Sequence, residues 1–141
     1  MAIYFKQEGV KRPAISARKL AVWLTGVTHQ YAKKLGSLNY IFCDDEYLLA
    51  INKQYLNHDY YTDIITFDYS EGNKVSGDLF ISIDRVKENA ILFKVSYEDE
   101  LFRVLVHGLL HLIGFTDKSA ESKKVMRALE DEFILIYKNS L

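Results

Sequence analysis

Between Leu101 and Ile113 every residue is apolar or glycine except Arg103, His107 and His111, and those three are spaced by four. On a helix, residues four apart lie one above another, so the stretch reads as an apolar rod with a single polar line along it. Such a rod has to be buried, and an imidazole buried without a partner is costly. The two histidines therefore need hydrogen-bond acceptors, a cleft or a metal ion. A pair of satisfied core histidines is the plain alternative. Imidazoles at i and i+4, however, project the same way and can share one tetrahedral ion. Gly114 then turns the chain, and Asp117 stands six residues after His111. A carboxylate there can fold back over the helix end and complete a three-ligand face of His107, His111 and Asp117.

Three protein ligands leave the fourth position to solvent, which is the catalytic rather than the structural pattern. One divalent metal, with zinc the first choice, is the expected cofactor. A metal so placed activates water at neutral pH and polarises the group under attack, which licenses hydrolysis without naming the bond. Zinc peptidases of the H-E-x-x-H type carry a glutamate after the first histidine as general base. Here that position is Gly108, so the peptidase reading loses its main support. A structural site would want a fourth ligand, usually cysteine, and Cys43 could serve only if the fold brought it close. His58 is the one rival for the third ligand position, whereas His29 reads as a surface residue.

The rest of the chain divides into short elements without repeats or linkers. Ile3 to Phe5 reads as a strand. Ser16 caps a helix running to about Lys33, with Leu20, Trp23, Leu24, Val27 and Tyr31 on its apolar side. Leu38 to Cys43 reads as a strand, and Asp44 or Asp45 caps a helix through Leu56 that offers Leu48, Leu49, Ile51 and Tyr55 to the core. Asn57 to Thr62 is a loop. Ile64 to Tyr69 and Gly77 to Ile83 are strands joined by a hairpin turn across Ser70 to Ser76. A helix over Asp84 to Phe93 is followed by one that Ser96 caps, with Asp99 in the capping-box position, and that Gly114 ends. Ser119 caps a last helix with Val125, Met126, Leu129, Phe133 and Ile136 on one side. Helices and strands mix without regular alternation, so the expected fold is α+β. It is a small mixed sheet of about four strands with about five helices and the metal site at the end of a buried helix.

At 141 residues this is one expected domain, 1–141, long enough for a core of its own. The 18 basic and 19 acidic residues nearly cancel, so no global field marks a nucleic-acid binder, and RNA contact would need a local patch. Lys11, Arg12, Arg18 and Lys19, then Lys33 and Lys34, are the small basic clusters, and such clusters are usually solvated faces. Tyr60 and Tyr61 are the best placed aromatics for stacking on single-stranded bases. The single cysteine excludes an intrachain disulfide. The amino terminus, MAIYFKQEGVKR, lacks an apolar run long enough for a signal peptide, and the polar line through Leu101 to Phe115 argues against a membrane span. The expectation is a cytoplasmic protein with no membrane partner.

With these motifs in view, the chain resembles the YbeY family of rRNA maturation factors, described as single-strand-specific endoribonucleases. The family's metal motif, H-G-x-L-H-L-x-G-Y-D-H, meets HGLLHLIGFTD at His107 to Asp117. Six of nine specified positions are identical, Phe115 is conservative, and Thr116 and Asp117 differ. A second family element, roughly P-T-D-V-L-S-F, meets YTDIITF at Tyr61 to Phe67, and a third, G-D-I-x-I-S, meets GDLFIS at Gly77 to Ser82. The likeness runs from about residue 38 to 135. It implies phosphodiester hydrolysis in single-stranded rRNA during ribosome biogenesis, with RNA and the small ribosomal subunit as partners. The family's third ligand is usually histidine. Asp117 in its place implies a site of two histidines and one carboxylate, a weaker Lewis acid that shifts preference toward manganese or iron. The family's substrate-facing arginine falls at Leu56, where His58, Lys53 or Arg103 could substitute.

Asp63 and Asp78 lie near strand starts, where either could orient a metal-bound histidine or act as base. The plain alternative is an aspartate satisfying backbone N–H groups, and this is favoured for Asp78. Arg103, one turn before His107, could bind phosphate, or could pair with a carboxylate such as Asp99. Asp63 and Arg103 are the candidate catalytic residues. Two other functions stay open: a ribosome-assembly binding factor whose metal is largely structural, and a metal hydrolase of another bond.

Overall fold

A computed structural model describes residues 2–140, arranged as nine elements in the order βαβαββααα. The first strand, β1 (Ala2–Gln7), leads into α1 (Ala17–Gln30), and β2 (Lys34–Cys43) leads into α2 (Asp45–Leu56). The hairpin of β3 (Ile64–Asp68) and β4 (Lys74–Ser82) is followed by α3 (Ile83–Phe93), α4 (Tyr97–Ile113) and α5 (Ala120–Asn139). The four strands form one mixed sheet in the order β1-β2-β4-β3. β1 and β2 are parallel, as are β2 and β4, whereas β3 and β4 are antiparallel. The α+β architecture of four strands and five helices agrees with the reading from sequence. The parallel β1–α1–β2 crossover is a feature that reading did not foresee.

Strand alternation gives the sheet two unlike faces. Leu38, Tyr40 and Phe42 of β2, with Leu79 and Ile81 of β4, belong to the main core under α1, α4 and α5. Cys43, Leu48 and Ile65 form a smaller core on the other face, beneath α2, with Ile51, Phe67 and Phe80 packed around it. Two buried polar tips are satisfied across the main core. Tyr40 donates its hydroxyl to the Leu105 carbonyl at 2.8 Å, and Trp23 donates Nε1–H to the Phe133 carbonyl at 2.9 Å. These bonds fix α4 over β2 and tie α1 to α5 without leaving a buried donor unpaired.

Helix α4 is the pillar of the fold. Its first turn is capped by Ser96 Oγ, which accepts the Asp99 N–H at 3.1 Å. Its last turn closes on Gly114 at φ +127°, a conformation that other residues rarely adopt. In between, Leu101, Leu105, Leu109 and Leu110 are fully or almost fully buried. The helix lies so close to the sheet that a Cβ on Gly108 would stand 2.5 Å from Leu79 Cδ2 and 2.7 Å from Ile64 Cδ1. Glycine is thus required by the helix–sheet approach, and a glutamate at this position has no room.

Several boundaries differ from the sequence reading. Helix α1 stops at Gln30, with Tyr31 as its cap and Ala32 at φ +57°, so Lys33 and Lys34 belong to the turn and to β2 rather than to a helix. Strand β4 begins at Lys74, which shortens the hairpin turn to the residues around Gly72. In α2 the inward position is Asn52, 1% exposed, while Tyr55 is 62% exposed. Asn52 faces in because its amide donates to the Tyr60 carbonyl at 2.9 Å and holds the following loop. In α5 the buried line is Met126, Glu130, Phe133, Ile134 and Tyr137, and Val125 and Ile136 are exposed. That helix is turned to bring Glu130 inward.

Because Gly108 lies against two side chains of the sheet, Gly108→Ala should destabilise the fold by about 1–3 kcal/mol, the usual cost of overpacking. A thermal midpoint several degrees lower checks this, and an unchanged midpoint would contradict the close approach.

Candidate metal centre

The polar line of α4 emerges at the edge of the sheet formed by β3. His107 and His111 are part-buried, with ring planes at 79° and Nε2 atoms 3.0 Å apart. Beyond Gly114 the chain folds back, as the sequence suggested. Asp117 places Oδ2 3.5 Å from His107 Nε2 and Oδ1 3.5 Å from His111 Nε2. Ligand atoms of the three residues all lie within 4.8 Å of one another. Among the described residues no other trio of His, Cys, Asp or Glu meets that test. Bonds of roughly 2.0–2.1 Å at tetrahedral angles would separate ligand atoms by roughly 3.3–3.4 Å. The observed spacings fit one small divalent ion.

The residue that sequence reasoning missed is Glu130. It is 4% exposed, and its Oε2 lies 2.6 Å from His107 Nδ1. A carboxylate on Nδ1 fixes the proton there and turns the Nε2 lone pair toward the ion, as in carboxylate–histidine–zinc sites. The other carboxylate oxygen, Oε1, accepts from Arg103 Nη1 at 2.8 Å, while Arg103 Nη2 donates to Asp131 at 2.6 Å. Arg103 is therefore paired with α5 and not with Asp99, which instead meets Lys138 at 2.9 Å. Burial alone would lower the His107 pKa, but the Glu130 hydrogen bond and charge, helped by Asp117 and Asp63, raise it. The signal for Glu130 was in the sequence. It falls in step with Met126, Phe133, Ile134 and Tyr137 on the helix face that must be buried.

Two clefts meet at this centre. One, of about 620 Å³ beside β3, is lined by Tyr60, Thr62, Thr66, Asp68, His111 and Leu112 among others. The second, of about 320 Å³ between α3, α4 and α5, includes Asn89, Glu100, Arg103, Lys123 and Arg127. Asp63, His107 and Asp117 line both. Asp63 sits at the mouth of β3, accepts from Asn89 Nδ2 at 3.4 Å, and has its carboxyl pKa raised by burial. Asp78 is elsewhere. It accepts from the Asn39 side chain at 3.0 Å, a partner other than the backbone N–H expected from sequence, and faces the α2 side with Tyr55 and Phe80.

The remaining candidates are also placed. His58 bonds to the Tyr60 hydroxyl at 2.9 Å and stacks on its ring, so Asp117 rather than His58 joins the two imidazoles. Cys43 is buried beside Leu48 and Ile65, with its thiol pushed up to about 12 by burial, and stands outside the cluster. Leu56 ends α2 exposed, and the nearby Lys53 pairs with Asp59 at 3.3 Å. Tyr61 donates to Glu46 at 2.6 Å and carries Arg85 over its ring, which leaves Tyr60 as the aromatic at the β3 cleft. His29 and the pairs Lys11–Arg12 and Arg18–Lys19 are exposed.

Replacing Glu130 with alanine should weaken divalent-metal binding by about 10–100-fold, measured by competition with a chelating dye, because an outer partner of a ligating histidine has an effect of that order. The metal-free protein has a second signature. Glu100 is 3% exposed, and burial, with Asp63 nearby, pushes its carboxyl from 4.5 to about 7. The folded state then holds a proton that the unfolded chain releases. This contribution is fully present below pH 4.5 and is lost as pH rises through about 7. His107 acts with the same sign above 6.5. Melts of chelated protein should show the midpoint falling as pH increases across this window, and Glu100→Gln should flatten the lower part of the slope.

The chain was compared with known proteins. The family model for Endoribonuclease YbeY matches residues 3–138, a wider span than the motifs alone indicated. Endoribonuclease YbeY of Bacteroides fragilis is 49% identical over 138 residues, covering 98% of this chain and 99% of the relative. The protein of that name from Flavobacterium johnsoniae is 55% identical over 115 residues, covering 82% and 83%. The solution structure of TM1509 from Thermotoga maritima superposes with a TM-score of 0.66 at 26% identity, covering 99% of this chain and 93% of that one. On these matches and the fold they share, the chain belongs to the Endoribonuclease YbeY family.

Proposed function

We infer that this chain is a metal-dependent endoribonuclease that hydrolyses phosphodiester bonds of single-stranded RNA in rRNA maturation. The observation that carries the reading is the convergence of His107, His111 and Asp117, with Glu130 holding His107 in the ligating tautomer. Zinc is the proposed ion, held by these three residues within the single domain 1–141. When bound, it would supply an activated water at neutral pH and positive charge for the phosphoryl oxygens.

The chain's own groups divide the remaining work. Asp63, at the junction of the two clefts, is the candidate base, since burial strengthens its hold on a proton. Arg103 acts chiefly by fixing Glu130, and through it His107. Lys123 and Arg127 stand on the helix side of the centre and can meet the RNA backbone there, a task that Leu56 does not perform. Tyr60 offers a stacking surface on the β3 side. The proposed setting is the cytoplasm, with the small ribosomal subunit as the assembly that presents the RNA. No helix of the described residues is long and apolar enough to cross a membrane.

Purified protein should cleave single-stranded rRNA fragments, lose cleavage on chelation, and lose at least about 100-fold in rate in the His111→Ala variant, beyond the loss typical of an outer-sphere partner. Cleavage surviving both treatments would contradict the proposal. No cleavage, together with a large fall in thermal midpoint on chelation, would favour a ribosome-assembly factor with a structural metal.

A further inference from the structure

The cleft between α3, α4 and α5 has a floor that the metal chemistry leaves unused. Glu100 is 3% exposed and lines the cleft, and its Oε1 is the one buried side-chain polar atom among the described residues with no hydrogen-bond partner. Leaving such an atom unpaired costs about 1–3 kcal/mol, which points to a partner that arrives with a ligand. Glu130 cannot be the group served, since its two oxygens are taken by His107 and Arg103.

Charge and shape select the ligand class. An anion is disfavoured, because Asp63, Glu100, Asp117 and Glu130 all face the space, and Arg103 is already paired with two carboxylates. A second divalent ion is disfavoured, because no other trio of ligand atoms among the described residues lies within 4.8 Å. The walls are apolar where they pass Phe93, Val104 and Met126, and Arg127 lies over the Phe93 ring at 5.7 Å from its centre. The cleft's 320 Å³ suits a small planar ligand. Apolar sides with a carboxyl acceptor and the Asn89 amide at the polar end match the flat faces and edge of a base.

We propose that this cleft binds the nucleobase of a nucleotide flanking the cleaved bond, with Glu100 accepting from an exocyclic amino group. It follows that adenine, cytosine and guanine are preferred over uracil, which lacks that group. The placement of the base beside the cleaved bond rests on the endoribonuclease reading. The selectivity rests on the cleft alone.

The test uses the full chain in chelator, titrated with the four ribonucleosides, with chemical shifts of the Asn89 side-chain amide and of residues 100–104 as the readout. Adenosine, cytidine and guanosine should bind at least about fivefold more tightly than uridine, the lower end of what one buried hydrogen bond is worth. Glu100→Gln, which adds a donor at the same place, should narrow or reverse that order. Should that variant fail to fold, Asn89→Ala should weaken binding of the amino-bearing bases. Equal binding of all four, shifts confined to other surfaces, or an unchanged order in the folded variants would overturn the proposal. Nucleosides contain no phosphodiester bond, so this outcome and the loss of RNA cleavage are independent results.

Discussion

Helix α4 lies against β3 and β4 with no space for even a methyl group at Gly108, and the rest of the molecule is arranged around that contact. The close approach buries Leu105 and Leu109 and seats the Tyr40 hydroxyl on the Leu105 carbonyl. It also turns the polar line of the helix toward the exposed edge of the sheet. His107 and His111 become available to a ligand while their helix stays buried. The same contact removes any side chain between them that could serve as a base, and it separates this site from zinc peptidases of the H-E-x-x-H type.

Once the helix is fixed, the charges around it form a chain. Asp131 and Glu130 hold Arg103, Glu130 holds His107, and His107 faces His111 and Asp117. Every link joins α4 to α5 or to the turn between them. A buried imidazole with a carboxylate 2.6 Å from Nδ1 is preorganised to bind at Nε2, so the site does not have to form when the ion arrives. Asp117 in the third position adds a negative charge that a third imidazole would not, and the paired arginine behind Glu130 partly offsets it.

The spacing of His107, His111, Gly114 and Asp117 was enough to place those residues together, because a helix has a fixed period and a glycine end sets where the chain turns back. The mixed sheet was legible from alternation, and Gly108 was correctly read as incompatible with a peptidase base. Glu130 was not found, since α5 is amphipathic with two plausible apolar lines. The line through Val125 and Ile136 looked as good as the one that is buried. Arg103 was given the wrong carboxylate as partner for a related reason. Asp99 is near in sequence, whereas Glu130 and Asp131 come close only when α5 packs on α4. Asn52 and Tyr55 exchanged roles because a loop needed an amide more than the core needed a ring.

The most direct test of the central claim is anomalous diffraction at the zinc edge from crystals grown with zinc. The account predicts one peak bonded to His107 Nε2, His111 Nε2 and a carboxylate oxygen of Asp117, with Glu130 remaining on His107 Nδ1. A peak that excludes Asp117, or an ion bound through Glu130 with the imidazoles turned away, would contradict it.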